Sequence, residues 1–521
     1  MIQRLCILLI VLFSGVLLHA QSKDTAQTVD ILSANRLELK RVDANTELQI
    51  LAGGVKLRQG KTLFYCDSCV INGAAHIFEA FGKVHINDND TTNVYSDYLR
   101  YLTDRKIAYL TGNVKLNDSH STLTTNQLEY DVNTKIGTYT NGGRLTNKKS
   151  VLTSQSGLYY TDIHDFYFKD NVELKDPAYF LKTDSLWYNT QTQVARFIAE
   201  TFIKDSSNRT INTREGFYDV ANNQAQFNSR THIQDGAVSI TGDKIASDSS
   251  GIMQIEGRGV LIDTAQGTNI LANRIFANKK TGAYLATQKP LMIIKQEKDS
   301  IYITADTLFS ARLTALYKGS DSLLKRLNLK ETDSTNRYFE AYRHVRIFSD
   351  SLQSVSDSLF YSFKDSIFQL YQNPVVWSRK SQITGDTIFL YTKNKKADRI
   401  KVYQQSFMVN EVDPGVYNQI KSSRMDGFFK AGVIDSVLAK GMAESIYFLQ
   451  DKDSAYTSVN QTSSDAMDIF FDNGELNKVV LRSGVKGTLY PITQKQPAEA
   501  RLTTFQWLEA RRPKTKYELF E

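Results

Sequence analysis

At 521 residues the chain could hold several ordinary domains, yet no Pro-rich or Gly/Ser-rich linker divides it, so one continuous array is the better reading. The formal charge of +7, lowered by one if Arg4 is removed with a leader, is only mildly basic and fits a well-solvated surface. Such a balance also suits nucleic acid or an anionic lipid head group, but expected export and the lack of a basic helix or an RNA-binding aromatic signature argue against nucleic acid as a partner.

The N-terminus begins with Arg4, runs apolar from Leu5 to Leu18 and ends Leu18-His19-Ala20 before the polar Gln21. Residues 1–20 are therefore expected to be a signal peptide cleaved after Ala20, because the apolar run is shorter than the roughly 20 residues a spanning helix needs. No later stretch is long and apolar enough to span a membrane as a helix. The mature protein is expected to be exported and soluble.

Cys6 lies in the leader, which leaves Cys66 and Cys69 in Cys66-Asp67-Ser68-Cys69. No second Cys-x-x-Cys and no nearby His pair completes a metal site, so no metal is expected. Cys69 falls where a repeat places an apolar anchor, which makes it a small core residue, and in an oxidising compartment the two thiols could form a local disulfide.

From there a pattern Asp-x-Leu-x-Tyr returns about every 29 residues: Asp97 with Leu99 and Tyr101, Leu128 with Tyr130, Leu158 with Tyr160, and Leu186 with Tyr188. Weaker copies follow at Phe217, Ile245, Ile275, Leu308, Leu359 and Ile388. A second pattern, Gly-x-Val-x-Leu, keeps the same step at Val55 and Leu57, Val84 and Ile86, Val114 and Leu116, and Val172 and Leu174. A fixed period of this length marks a repeat architecture in which each unit buries its apolar face against its neighbours. Within a unit, apolar and polar residues alternate with period two, and clusters such as Asn117-Asp118-Ser119 and Asn189-Thr190-Gln191-Thr192 mark hairpin ends. Gly112 and Thr125-Asn126 sit near strand midpoints, where a bend is expected. The expected fold is all-β and elongated, a stack of bent hairpins whose two sheets meet at a crease and form a V-shaped trough.

The repeats are expected over residues 21–312 and 338–420, separated by a polar insertion at residues 313–337 with a short helix near Ser322 to Leu329. After about residue 420 the period blurs, and residues 421–521 form a C-terminal β region with a basic tail. Trp507, Arg511 and Arg512 are candidates for docking a partner there, and residues 501–521 are expected to be removable without unfolding the array. At the other end the repeat starts almost at once, leaving an edge open to a partner strand. Nothing reads as catalysis. The histidines are scattered singly, and Asp-Ser pairs such as Asp184-Ser185 and Asp357-Ser358 recur once per unit, as bend residues do and a catalytic pair does not.

Gly112-Asn113-Val114-Lys115-Leu116 with Leu123 through Tyr130 resembles the OstA/LptA-type unit of lipopolysaccharide-transport proteins. Tyr342 to Phe348, Asn373 to Trp377, Ala443 to Tyr447 and Trp507 to Pro513 resemble the large OstA-like proteins of Bacteroidetes-type bacteria. The resemblance implies an open β-jellyroll in the periplasm that shelters the acyl chains of lipopolysaccharide between the inner and outer membranes. It also implies pairing by edge strands with other jellyroll transport components, including an outer-membrane translocon, without cofactors. Leu99, Tyr101, Val114, Leu116, Leu128, Tyr130, Leu158, Tyr160, Val172, Leu174, Leu186, Tyr188, Phe217, Ile245 and Ile275 are then the candidate lining of a lipid groove. The rival reading is a structural β-solenoid or adhesin-type surface protein with a closed core and no lipid ligand.

Overall fold

A computed structural model describes residues 28–519, apart from 220, 223, 296–299, 331–332, 395, 431 and 473–474. The expected signal peptide, residues 1–20, lies outside the described residues. The chain forms two compact units, Met1–Leu174 with Trp187–Gln191, and Lys175–Leu186 with Thr192–Glu521. Both are all-β apart from the insertion and short turns near the C-terminus.

In the first unit the strands Glu47–Gln59, Thr62–Asn72, Ile77–Asp88, Thr92–Leu102, Ile107–Asn117 and Ser121–Asp131 pair antiparallel in chain order. Every ladder breaks near its middle, the register skipping from Ala52 to Val55, from Phe81 to Val84 and from Thr111 to Val114. The skipped pairs, Gly53-Gly54, Gly82-Lys83 and Gly112-Asn113, all have positive φ, so two residues oppose one and the strand turns a corner. The recurring Asp stands in that corner. A Cβ on Gly82 would lie 2.6 Å from Asp67 Oδ2, and one on Gly112 2.7 Å from Asp97 Oδ2, so carboxylate and glycine share one small volume. Asn113 Nδ2 donates to Asp97 Oδ2 at 2.8 Å. Each strand is thereby split into two halves that lie in two sheets meeting at a crease, the arrangement expected from the mid-strand bend at Gly112 and Thr125-Asn126.

The second unit repeats the device, with corners at Gly257-Arg258, Arg343-His344, Gln404-Gln405 and Gly441-Met442, all of positive φ. They oppose Asn273, Asp357, Ser423 and Asp465. The insertion carries helices Leu313–Leu316 and Asp321–Leu327, the latter ended by Asn328 at φ 45°. Beyond it the strands lengthen from 11 residues in Tyr338–Phe348 to 18 in Lys396–Asp413 and Val433–Gln450, which is why the period blurs in the sequence.

The C-terminal residues run back across this unit as a strap. Leu502 N donates to Gln419 Oε1 at 2.9 Å, Leu508 N to Gln382 Oε1 at 2.7 Å, and Arg346 Nη1 to the Glu518 carbonyl at 2.7 Å. Ala500 and Leu502 are buried with Phe407, Val409, Ile446 and Val459, and Leu519 with Leu291 and Phe348. The segment expected to be removable thus packs on this unit, its apolar side chains joining two clusters of the unit's own core.

Candidate lipid site

Alternation sends every second residue of each half-strand into the space between the two sheets. In the first unit one inward row runs Leu37, Leu51, Cys69, Ala80, Leu99, Leu110, Leu128, each paired with the next across the ladder. All are buried except the first, Leu37, which is 54% exposed on the opening strand and is joined there by Ile31 and Leu39. The apolar face thus reaches solvent at the first rung. The next inward row carries Phe78, Tyr101, Ala108, Tyr130, Gly137 and Tyr159, in which rings from the larger positions fill the space over the small ones.

Of the groove candidates in this unit, Leu99, Tyr101, Val114, Leu116, Leu128, Tyr130, Val172, Leu174 and Tyr188 are inward and buried. Leu158 and Tyr160 are not. They are half-buried on the opposite face, and Gly157 and Tyr159 point inward instead. The unit keeps a step of 29 residues from Leu128 to Gly157, so reading the conspicuous leucine as the anchor slips the register by one and reverses the face. Phe217 fails likewise in the second unit, where Tyr218 pairs with inward Ala195 and Ala225. Leu186, Ile245 and Ile275 are inward and buried. Cys66 and Cys69 also face inward on either side of a corner, with both thiols free and buried. The thiol hydrogen bond between them pushes Cys69 up and Cys66 down from the ordinary thiol value.

The free ends of the two sheets, opposite the crease, form two lips. In the first unit they are closed by buried polar side chains recurring with the repeat at Gln59, Asp88, Asp118 and Asn147. Gln59 receives the Tyr101 hydroxyl at 2.6 Å and donates to the Thr103 carbonyl at 2.8 Å. Asp88 receives the Tyr130 hydroxyl at 2.8 Å and forms an ion pair with Lys135. Burial, then the Asp88 charge, push the Tyr101 and Tyr130 phenols up, which keeps both as neutral donors. Asn147 Nδ2 donates to the Thr190 carbonyl at 2.7 Å.

In the second unit Ser247 and Ala277 stand where the first unit has Tyr101 and Tyr130, and Ala225 and Met253 are their neighbours across the ladder. A cleft of 430 Å³ opens there, floored by Ile233, Ile240, Met253 and Tyr284. Its rim carries Arg209, Lys279, Arg312 and Arg337 against Asp235, Asp263 and Asp333. Arg209 meets Asp205 at 2.9 Å, and Arg337 donates to the Gly282 carbonyl at 2.7 Å with its guanidinium 4.8 Å from the Tyr284 ring centre. The lip pair is loose, Lys279 Nζ lying 3.6 Å from Asp235. The insertion reaches this rim through Asp333, Ser334, Asn336 and Arg337. Sequence reading missed the cleft, although the loss of Tyr at Ser247 and Ala277 was its visible signal.

A larger cavity of 560 Å³ lies at the crease of the same unit, but its walls include His344, Asp357, Asn373, Asp386 and Arg511, which do not suit an acyl chain. Of the docking candidates, Arg511 is exposed there. Trp507 packs 5.2 Å from the Tyr417 ring, and Arg512 donates to Gln353 Oε1 and to the Arg379 carbonyl. The strap itself therefore uses both.

No match is found among the curated proteins. Among solved structures, LptH of Pseudomonas aeruginosa, the LptA homologous periplasmic component of the lipopolysaccharide transport device, is similar at 13% identity over 27% of this chain and 95% of its own, with a TM-score of 0.22. The family described as OstA-like protein matches residues 26–184. Over that stretch, which holds the first unit's bent hairpins, the chain is similar to the OstA-like family.

Proposed function

We propose that this protein binds lipopolysaccharide through its acyl chains and conveys it across the periplasm, without catalysing a reaction. The observation that carries the reading is the cleft of the second unit, an apolar floor of Ile233, Ile240 and Met253 beneath a rim of four cationic and three acidic side chains. An amphiphile matches both parts: each methylene buried on such a floor contributes about 0.8 kcal/mol, while its phosphates stay at the wet, charged rim beside the guanidinium groups. The exposed inner face at Leu37 supports a second point of entry or hand-over, where a strand from another jellyroll transport component would extend the array.

A photo-crosslinking residue at Met253 or Leu37 is expected to capture lipopolysaccharide in cells, and one at Gln254 or Glu38, on the outer face, is not. Equal capture on both faces would remove the reading. The closed-core β-solenoid is favoured by one observation, that the inward residues of the first unit are almost fully buried by their own neighbours. It predicts no capture at any of the four positions.

A further inference from the structure

The buried lip carboxylates of the first unit differ in how their charge is met. Asp88 has the ammonium of Lys135 and the hydroxyls of Tyr130 and Thr62. One repeat on, Asp118 is equally buried, but His164 stands in the place of Lys135 and a second histidine, His120, lies two residues away. A buried carboxylate needs a cation close by. Two imidazoles facing one carboxylate are poor substitutes for an ammonium and good ligands for a metal ion.

The geometry is already assembled. Asp118 Oδ1 is occupied by the backbone N–H groups of His120 at 3.1 Å and Ser121 at 2.7 Å and by the Ser121 hydroxyl at 3.0 Å, which fixes the carboxylate and leaves Oδ2 facing His164 Nδ1 at 3.1 Å. The two imidazole rings lie 4.6 Å apart, and one ligand atom from each of the three residues falls within 4.8 Å of the others. The backbone behind them is tied down: Thr190 N donates to the His164 carbonyl at 2.9 Å, and Asn147 Nδ2 to the His120 carbonyl at 3.3 Å.

We propose that Asp118, His120 and His164 form a binding site for a divalent transition-metal cation of the Zn²⁺ class, latching the two lips of the first unit at one rung. A mixed imidazole and carboxylate set with an open position suits Zn²⁺ better than Ca²⁺ or Mg²⁺, which prefer oxygen alone. His120 and Asp118 sit on one lip and His164 on the other, so the ion cross-links chain ends 46 residues apart in sequence. The site does not depend on the lipid reading.

The test uses the mature chain, tag removed and stripped with chelator, titrated with Zn²⁺ by calorimetry, and with Co²⁺ followed by its visible spectrum. The expected result is one equivalent of Zn²⁺ bound, a nitrogen-and-oxygen Co²⁺ spectrum, and a higher melting temperature with metal. His164→Lys restores the arrangement of the preceding rung, so it is expected to fold, to abolish binding and to remove the metal-dependent thermal shift. His120→Ala is expected to weaken binding at least tenfold. Zn²⁺ binding that survives both substitutions, or no binding by the folded wild-type chain, would overturn the site.

Discussion

The two units share one corner and one strand pattern but treat the space between their sheets differently. In the first, rings from Phe78, Tyr101, Tyr130 and Tyr159 fill the row nearest the lips, and the buried polar residues Gln59, Asp88, Asp118 and Asn147 close it. In the second, Ser247 and Ala277 leave that row thin, the lip pair Lys279 and Asp235 is loose, and a cleft rimmed by charges of both signs results. The contrast teaches that one repeat can serve as rigid support or as binding surface according to the side-chain volume two residues beyond the anchor.

The largest test of that contrast lies at the lips. Lys135→Met strands the buried Asp88 carboxylate and is expected to cost about 3 kcal/mol in urea unfolding, the low end for a buried pair because the lysine is partly exposed. Lys279→Met breaks a solvated pair and is expected to cost about 0–1 kcal/mol. Equal costs would mean that the lips of the first unit are not sealed by that contact.

Ala277→Phe puts a ring into the thin row, converting the cleft toward the filled state of the first unit. Lipopolysaccharide capture at Met253 is expected to disappear, with a stability change of about 1–3 kcal/mol, either from overpacking or from added burial. Undiminished capture in a folded variant would place the lipid elsewhere.

Gly112→Ala probes the corner both units share. With φ at +81° and Asp97 Oδ2 2.7 Å from the new methyl, a loss of about 1 kcal/mol or somewhat more is expected in thermal unfolding, and none would show that the corner relaxes freely.

The smallest effect concerns pH. The hydrogen bonds and charges of Arg258 and Arg230 hold the Asp243 carboxyl down at about 2, below its ordinary 3.8. Because the folded value is depressed, the stabilisation is present above 3.8 and is lost as pH falls through about 2. The stability difference between wild type and Asp243→Asn is therefore expected to be flat near neutrality and to shrink between those values. It should also weaken in salt, since the group is partly exposed.

The sequence by itself determined the period, the strand class, the bends and most of the inward rows. Each is written locally: alternation sets the buried face, and a pair able to take positive φ beside an Asp sets the corner. Tertiary structure decided what depends on distant partners. Only pairing with Gly137 and Phe166 turns Tyr159 inward and Leu158 outward, since a one-residue slip leaves the local pattern equally plausible. Only the meeting of chain ends more than forty residues apart brings His164 to Asp118, Lys135 to Asp88 and Thr190 to Asn147. The strap was illegible for the same reason, because Leu519 finds its apolar surface on Leu291 and Phe348, and the cleft was, because a void is a sum of side-chain volumes across strands that no single repeat contains.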